Sequence, residues 1–308
     1  MKVGVTVLNF GKGTGPESLL ARARIAESMG FHSAFISDHV AITPDVRARY
    51  PEPFYDTFAT LAWLAGQTER ITLGTTVCVL PYRHPVEMAR LTANIDQFSR
   101  GRFVFGVGVG GNKLEFAVLG VPVERRGAIS NEYLEVIHAL WTQEEVTYHG
   151  RFVTLDEVSG VHPYKSEGRA NPPVWVGGRS DAAMRRTVRF DASWHPNRMT
   201  PGWLRDTGLP RLREIAGEFG NKTPALCPRI QVEITEKQIA GDDRIFGVGT
   251  LEQIHDDFLL LDQLGAEHVL LDWYVHSGPE TVPSDEDGWR QLSLLADQVL
   301  DLKNERVR

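Results

Sequence analysis

ITLGTTVCVLPYRHPVEMARLTANIDQFSRGRFVFGVGVGG, residues 71–111, decides the fold. Its two ends, residues 71–81 and 102–110, read as apolar strands, and HPVEMARLTANIDQFS, residues 84–99, reads as a helix between them. Strand, helix, strand is the repeating unit of a parallel sheet. The second strand runs into Gly106-Val107-Gly108-Val109-Gly110-Gly111. Glycines at the carboxyl end of a buried strand leave backbone N–H groups bare, so a flat ring or a phosphate can approach them. No long helix starts directly on the last glycine, which separates this run from the usual dinucleotide fingerprint.

The alternation extends in both directions. Strands are predicted at 2–8, 33–37, 71–77, 103–107, 173–177, 192–194, 229–234 and 268–272. Helices are predicted at 16–29, 55–67, 84–99, 113–119, 127–141, 181–190, 201–219, 251–264 and 286–302, with Gly208-Leu209-Pro210 expected to interrupt the seventh. A hairpin is predicted over 146–149 and 151–155. The strands VGVTVL (3–8), FVFGVG (103–108) and VLLDW (269–273) are apolar on both faces, as a sheet covered on both sides requires. Eight strand–helix units without a break in composition predict one α/β domain, 1–308. Its expected form is a (β/α)8 TIM-like barrel with insertions, 146–172 and 235–249, at the carboxyl-end face.

With 42% hydrophobic residues, a net charge of −7 and a pI near 5.8, the chain can bury a sizeable core and offers no basic surface for nucleic acid. No apolar window has the length of a membrane span, and MKVGVTVLNF runs into a strand without a leader pattern, so a cytoplasmic protein is expected. Cys78 and Cys227 read as buried thiols. No His, Cys, Asp or Glu cluster has metal-ligand spacing, so no metal is expected.

Barrel chemistry sits at the carboxyl ends of the strands. Those ends place Asn9, Asp38-His39, Thr76-Val77, the glycine run with Asn112, Gly177-Gly178-Arg179-Ser180 and His195 on one face. An imidazole beside a carboxylate can carry a proton near neutral pH, and its strand-end position favours that role over a structural pair. Bare backbone, a guanidinium and a hydroxyl ahead of a helix form a phosphate cradle; Ser180 as a plain N-cap is the alternative. Residues 41–53, with three prolines, read as a lid or a solvated loop. The set binds and orients but lacks a nucleophile, which points to a cofactor.

SDHV (37–40), residues 71–90, DQFSRGRFVFGVGVG (96–110), LEVIHALW (134–141), HGRF (149–152) and PPVWVGGRS (172–180) resemble the bacterial luciferase-like flavin and deazaflavin oxidoreductases, most of all the branch using coenzyme F420. The resemblance covers nearly the full length. It implies a non-prolyl cis peptide at Thr76–Val77 backing the cofactor ring, and His39 and Asp38 at its reactive face. It implies Gly108, Gly110, Gly111 and Asn112 along the ring and its tail, and Gly177, Gly178, Arg179 and Ser180 at the phosphate. It further implies a homodimer acting on a small molecule. F420-dependent hydride transfer is the leading expectation; reduced FMN with dioxygen, as a monooxygenase, is the first alternative, and a non-catalytic binding barrel the second. Sugar-phosphate dehydrogenases of the family carry a Glu just after the glycine run, where this chain has Gly111, and a Trp shortly after the Asp-His pair, where it has Ala41-Ile42-Thr43.

Overall fold

The computed structural model describes residues 1–166, 168–274 and 284–308. Eight parallel strands form the interior: β1 Lys2–Thr6, β2 Ser33–Ile36, β3 Thr72–Thr75, β4 Phe103–Gly108, β5 Val174–Gly177, β6 Ser193–His195, β7 Arg229–Gln231 and β8 His268–Asp272. Their order is β7-β8-β1-β2-β3-β4-β5-β6. The single bridges Trp194↔Leu226 and Asn197↔Arg229 join the two edges, so the predicted α/β barrel is present and nearly closed. Every residue of β2, β4 and β8 is buried, because helices cover the outside and side chains fill the inside.

Polar side chains set where the helices start. Asp56 accepts hydrogen bonds from the N–H groups of Phe58 and Ala59, opening helix Thr57–Ala65. Thr250 and Gln253 cap each other's backbone at the start of Leu251–Gln263. Such caps stabilise by about 1 kcal/mol each.

Three local expectations are corrected. Gly208-Leu209-Pro210 does not break the helix: a wide π turn, Leu204–Gly208, joins Pro201–Trp203 to Leu209–Glu218 and absorbs the N–H that Pro210 lacks. The last helix is Asp285–Gln298, and Leu300–Asp301 then pairs antiparallel with Arg306–Val307. The hairpin's second strand is Thr154–Ser159, paired with Glu145–His149.

The sheet departs from regularity where β3 ends. Leu73 and Gly74 face Phe103 and Val104, whereas Cys78 and Val79 face Val107 and Gly108. From 74 to 78 the chain uses one residue more than from 104 to 107, which makes a β-bulge. Within it the Thr76–Val77 peptide is cis, as the family resemblance implies. The opposite strand must make room for it. A Cβ on Gly106 would lie 1.9 Å from the Thr75 carbonyl oxygen, and one on Gly108 would lie 2.6 Å from Val77 Cγ2. Two of the glycines in the run are thus required by the bulge itself.

Candidate active site

Three cavities adjoin one another at the carboxyl ends of the strands. The smallest, about 230 Å³, is lined by Thr76 and Val77 of the bulge, Gly108 and Gly110 after β4, Gly177 and Gly178 after β5, and His195 of β6. The second, about 550 Å³, holds His39, Tyr82, Gly110, Gly111 and Asn112. The third, about 410 Å³, lies beyond Tyr50. A larger cavity of about 960 Å³ opens at the other end of the barrel among Lys2, Phe31, Thr72 and Phe103, where the strands begin. Strand starts carry stability rather than chemistry in this fold.

The bulge is held from three sides. The Thr76 N–H donates to the Ile36 carbonyl at 2.9 Å, and Arg229 Nη1 donates to the Thr76 carbonyl at 2.9 Å. Asp272 accepts from the Nε of Arg229 at 3.0 Å and from the hydroxyl of Thr6 at 3.1 Å. His195 supplies the third contact. Its Nδ1 donates to the Cys227 carbonyl at 2.5 Å, so the neutral ring must accept at Nε2, and the Thr76 hydroxyl, 3.0 Å away, is the donor. Complete burial pushes the pKa of His195 down to about 4, which keeps the ring neutral.

His39 finds its carboxylate elsewhere than expected. Its Nδ1 donates to Glu115 Oε2 at 2.8 Å, and Oε1 of Glu115 accepts the N–H groups of Val40 and Ala41 at 2.7 and 3.1 Å. Burial alone would raise the Glu115 pKa; the bond and charge of His39 and the two backbone donors outweigh it and hold the carboxyl below its usual range. Asp38 does not orient the imidazole. It takes a two-pronged ion pair from Arg83 at 2.9 Å each and further hydrogen bonds from the Thr57 hydroxyl and the Val79 N–H, both 3.0 Å. Asp38 thereby ties β2 to the chain leaving the bulge.

Asn9, Arg179 and Ser180 sit off the three cavities. Asn9 is fully buried and donates to the carbonyls of Ser37 and Tyr55, while its Oδ1 has no hydrogen-bond partner among the described residues. Ser180 accepts the Ala183 N–H as the N-cap of Asp181–Arg189. Arg179 turns to the Arg198 carbonyl and the face of Trp203. Residues 41–53 are packed on the mouth: they include the short helix Pro44–Arg47, and Tyr50 lies against Phe10, His39, Phe54 and Tyr274. Glu115, Arg83, Arg229 and Tyr50 were not singled out from sequence. A carboxylate three positions after Asn112, which caps helix Lys113–Val118, was the available signal for Glu115.

The thiols are not nucleophiles. Both are buried, and burial raises the pKa of Cys78 and pushes that of Cys227 up to about 12. A bulged pocket beside an imidazole–carboxylate pair, walled by the side-chain-free backbone of Gly108, Gly110, Gly177 and Gly178, fits a planar cofactor.

Fold and site together define an α/β barrel with a cleft at the carboxyl ends of its strands. The luciferase-like monooxygenase family profile matches residues 1–244, and the chain belongs to that family. It is 36% identical over 166 residues to an uncharacterised protein of Mycobacterium tuberculosis, across 50% of this chain and 57% of that one. It is 28% identical to the F420-dependent glucose-6-phosphate dehydrogenase of Nakamurella multipartita, across 86% of this chain and 81% of the relative. Its fold matches the monooxygenase RslO1 of Streptomyces bottropensis with a TM-score of 0.76 at 18% identity, over 96% of this chain and 98% of that one.

Proposed function

We propose that this protein is an F420-dependent oxidoreductase that passes a hydride between the deazaflavin and a small organic substrate. The observation carrying this reading is the pairing of the Thr76–Val77 bulge, set among bare glycines, with the His39–Glu115 pair in the neighbouring cavity that shares Gly110. The 28% likeness to an F420-dependent dehydrogenase over most of the chain supports the choice of cofactor. The deazaflavin supplies the hydride chemistry when bound.

The protein supplies the rest. Thr76 and Val77, fixed by Arg229 and His195, back the ring; the glycines at 108, 110, 177 and 178 admit it; the first turn after Ser180 takes its phosphate. Glu115 holds His39 with Nδ1 protonated, which leaves Nε2 to accept or return a proton on the substrate. Residues 41–53, with Tyr50, keep water from the mouth. Gly111 gives no acid where sugar-phosphate dehydrogenases of the family have Glu, so a different substrate is oxidised or reduced here.

Reduced FMN with dioxygen is the second reading, favoured by the fold shared with a monooxygenase. The melting temperature separates the two. A ligand at about 100 times its Kd adds roughly 2.7 kcal/mol, so F420 is expected to raise Tm by several degrees while FMN leaves it unchanged. The reverse order would make the protein FMN-dependent.

A further inference from the structure

The third cavity has a chemical character that the cofactor reading does not use. It is lined by three arginines, Arg49, Arg198 and Arg229, with Tyr50, Gln231 and Asp272 among the rest of its wall. Asp272 neutralises Arg229. Arg49 and Arg198 have no carboxylate partner among the described residues, in a chain whose net charge is −7. Both are exposed to the cavity mouth by side chain but fixed by backbone. The Arg49 carbonyl accepts the Tyr274 hydroxyl, which latches it to the end of β8. The Arg198 carbonyl accepts Arg179 Nη1 at 2.8 Å. Arg198 also holds a left-handed backbone, φ 47°, a conformation that costs a non-glycine residue energy and is retained where the surroundings impose it. Two guanidinium groups on anchored backbones, left uncompensated in a concave site, are arranged for an oxyanion. All three guanidiniums are close enough to lower the pKa of the Tyr50 phenol, although burial, the larger effect, raises it.

We infer that Arg49 and Arg198 form a subsite for a carboxylate or phosphate group on the substrate. The word substrate rests on the oxidoreductase reading; the anion site does not. Tyr50 lines both this cavity and the one holding His39, so an anion seated here leaves the remainder of a small molecule beside the imidazole.

The test uses the full chain and two probes, inorganic pyrophosphate and malonate, titrated calorimetrically at low ionic strength without cofactor. The proposal expects saturable binding that weakens by about tenfold for each arginine replaced in Arg49→Gln and Arg198→Gln. It expects most affinity to survive in the double lysine variant, R49K/R198K, and an unchanged Tm in all. A second arm measures F420 affinity of the double glutamine variant, R49Q/R198Q, which is expected to equal that of the wild type. Failure of the wild type to bind either probe, or equal binding by the glutamine variants, would overturn the site. A parallel loss of F420 affinity would overturn the substrate assignment and give the arginines to the cofactor's acidic tail. Anion binding that persists when F420 does not bind would sink the cofactor reading and leave the subsite standing.

Discussion

His39 Nδ1 lies 2.8 Å from Glu115 Oε2, and this contact joins the end of β2 to the helix that follows the glycine run. The carboxylate has two further backbone donors and stays ionised, so it fixes the imidazole's tautomer as well as its direction. Replacing His39 with Ala is expected to lower kcat by roughly 10²–10⁴-fold. Glu115→Gln should lose part of that and displace the pH profile of kcat, because an amide no longer enforces Nδ1 protonation. Steady-state kinetics across pH check this; an E115Q profile superimposable on wild type would show that the pair is structural.

Asp38, 4% exposed, is expected to matter for stability more than for turnover. Arg83→Met leaves its carboxylate buried with hydroxyl and N–H donors but no counter-charge, and should cost about 3–5 kcal/mol in denaturant unfolding. The double variant D38N/R83M should recover much of that loss, since no bare charge then remains. A double variant as unstable as the sum of the singles would contradict a coupled pair.

The glycine run divides into positions demanded by packing and a position that is open. Gly106→Ala sets a methyl against the Thr75 carbonyl and is expected to cost about 1–3 kcal/mol or more. Gly108→Ala meets Val77 and should also weaken cofactor binding. A Cβ on Gly111 meets nothing within 4 Å, so Gly111→Ala should change stability by less than about 0.5 kcal/mol. Thermal melts of the three variants give the ranking directly.

Two buried histidines make stability fall in mild acid. Burial holds His195 at about 4 and His268 at about 3, against 6.5 for an unburied ring. Below pH 6.5 the unfolded chain takes up protons that the folded chain refuses, so unfolding free energy drops as pH falls from 6.5 towards 4. At about 1.4 kcal/mol per pKa unit the loss for His195 alone is on the order of 3 kcal/mol. Glu115, whose folded pKa is lowered, adds to the loss below its ordinary value of 4.5. His268 Nε2 lies 2.8 Å from the Ser33 hydroxyl, a contact an asparagine amide can also make; denaturant titrations at several pH values should therefore show a shallower decline for His268→Asn.

The barrel was legible because its cause is local: strands apolar on both faces alternate with helices, and helix Pro16–Met29 and strand β8 fall at their expected bounds. Residues brought to one wall by neighbouring strand ends were legible for the same reason, as with Thr76, Gly108, Gly177 and His195. What escaped depends on side-chain direction across the mouth. Asp38 and His39 are adjacent in sequence, yet successive side chains diverge at a strand end, so each finds a different partner, Arg83 and Glu115. The run's glycines read as room for a ligand, whereas at Gly106 the space is taken by the Thr75 carbonyl. Spacing along the chain does not encode either outcome.

The most direct test of the central claim is a titration of F420 fluorescence with the purified protein, with FMN run alongside. The account predicts saturable quenching of F420 at micromolar protein, weakened in Gly108→Ala, and no comparable change with FMN. Unaltered F420 fluorescence at those concentrations, with FMN bound instead, would contradict it.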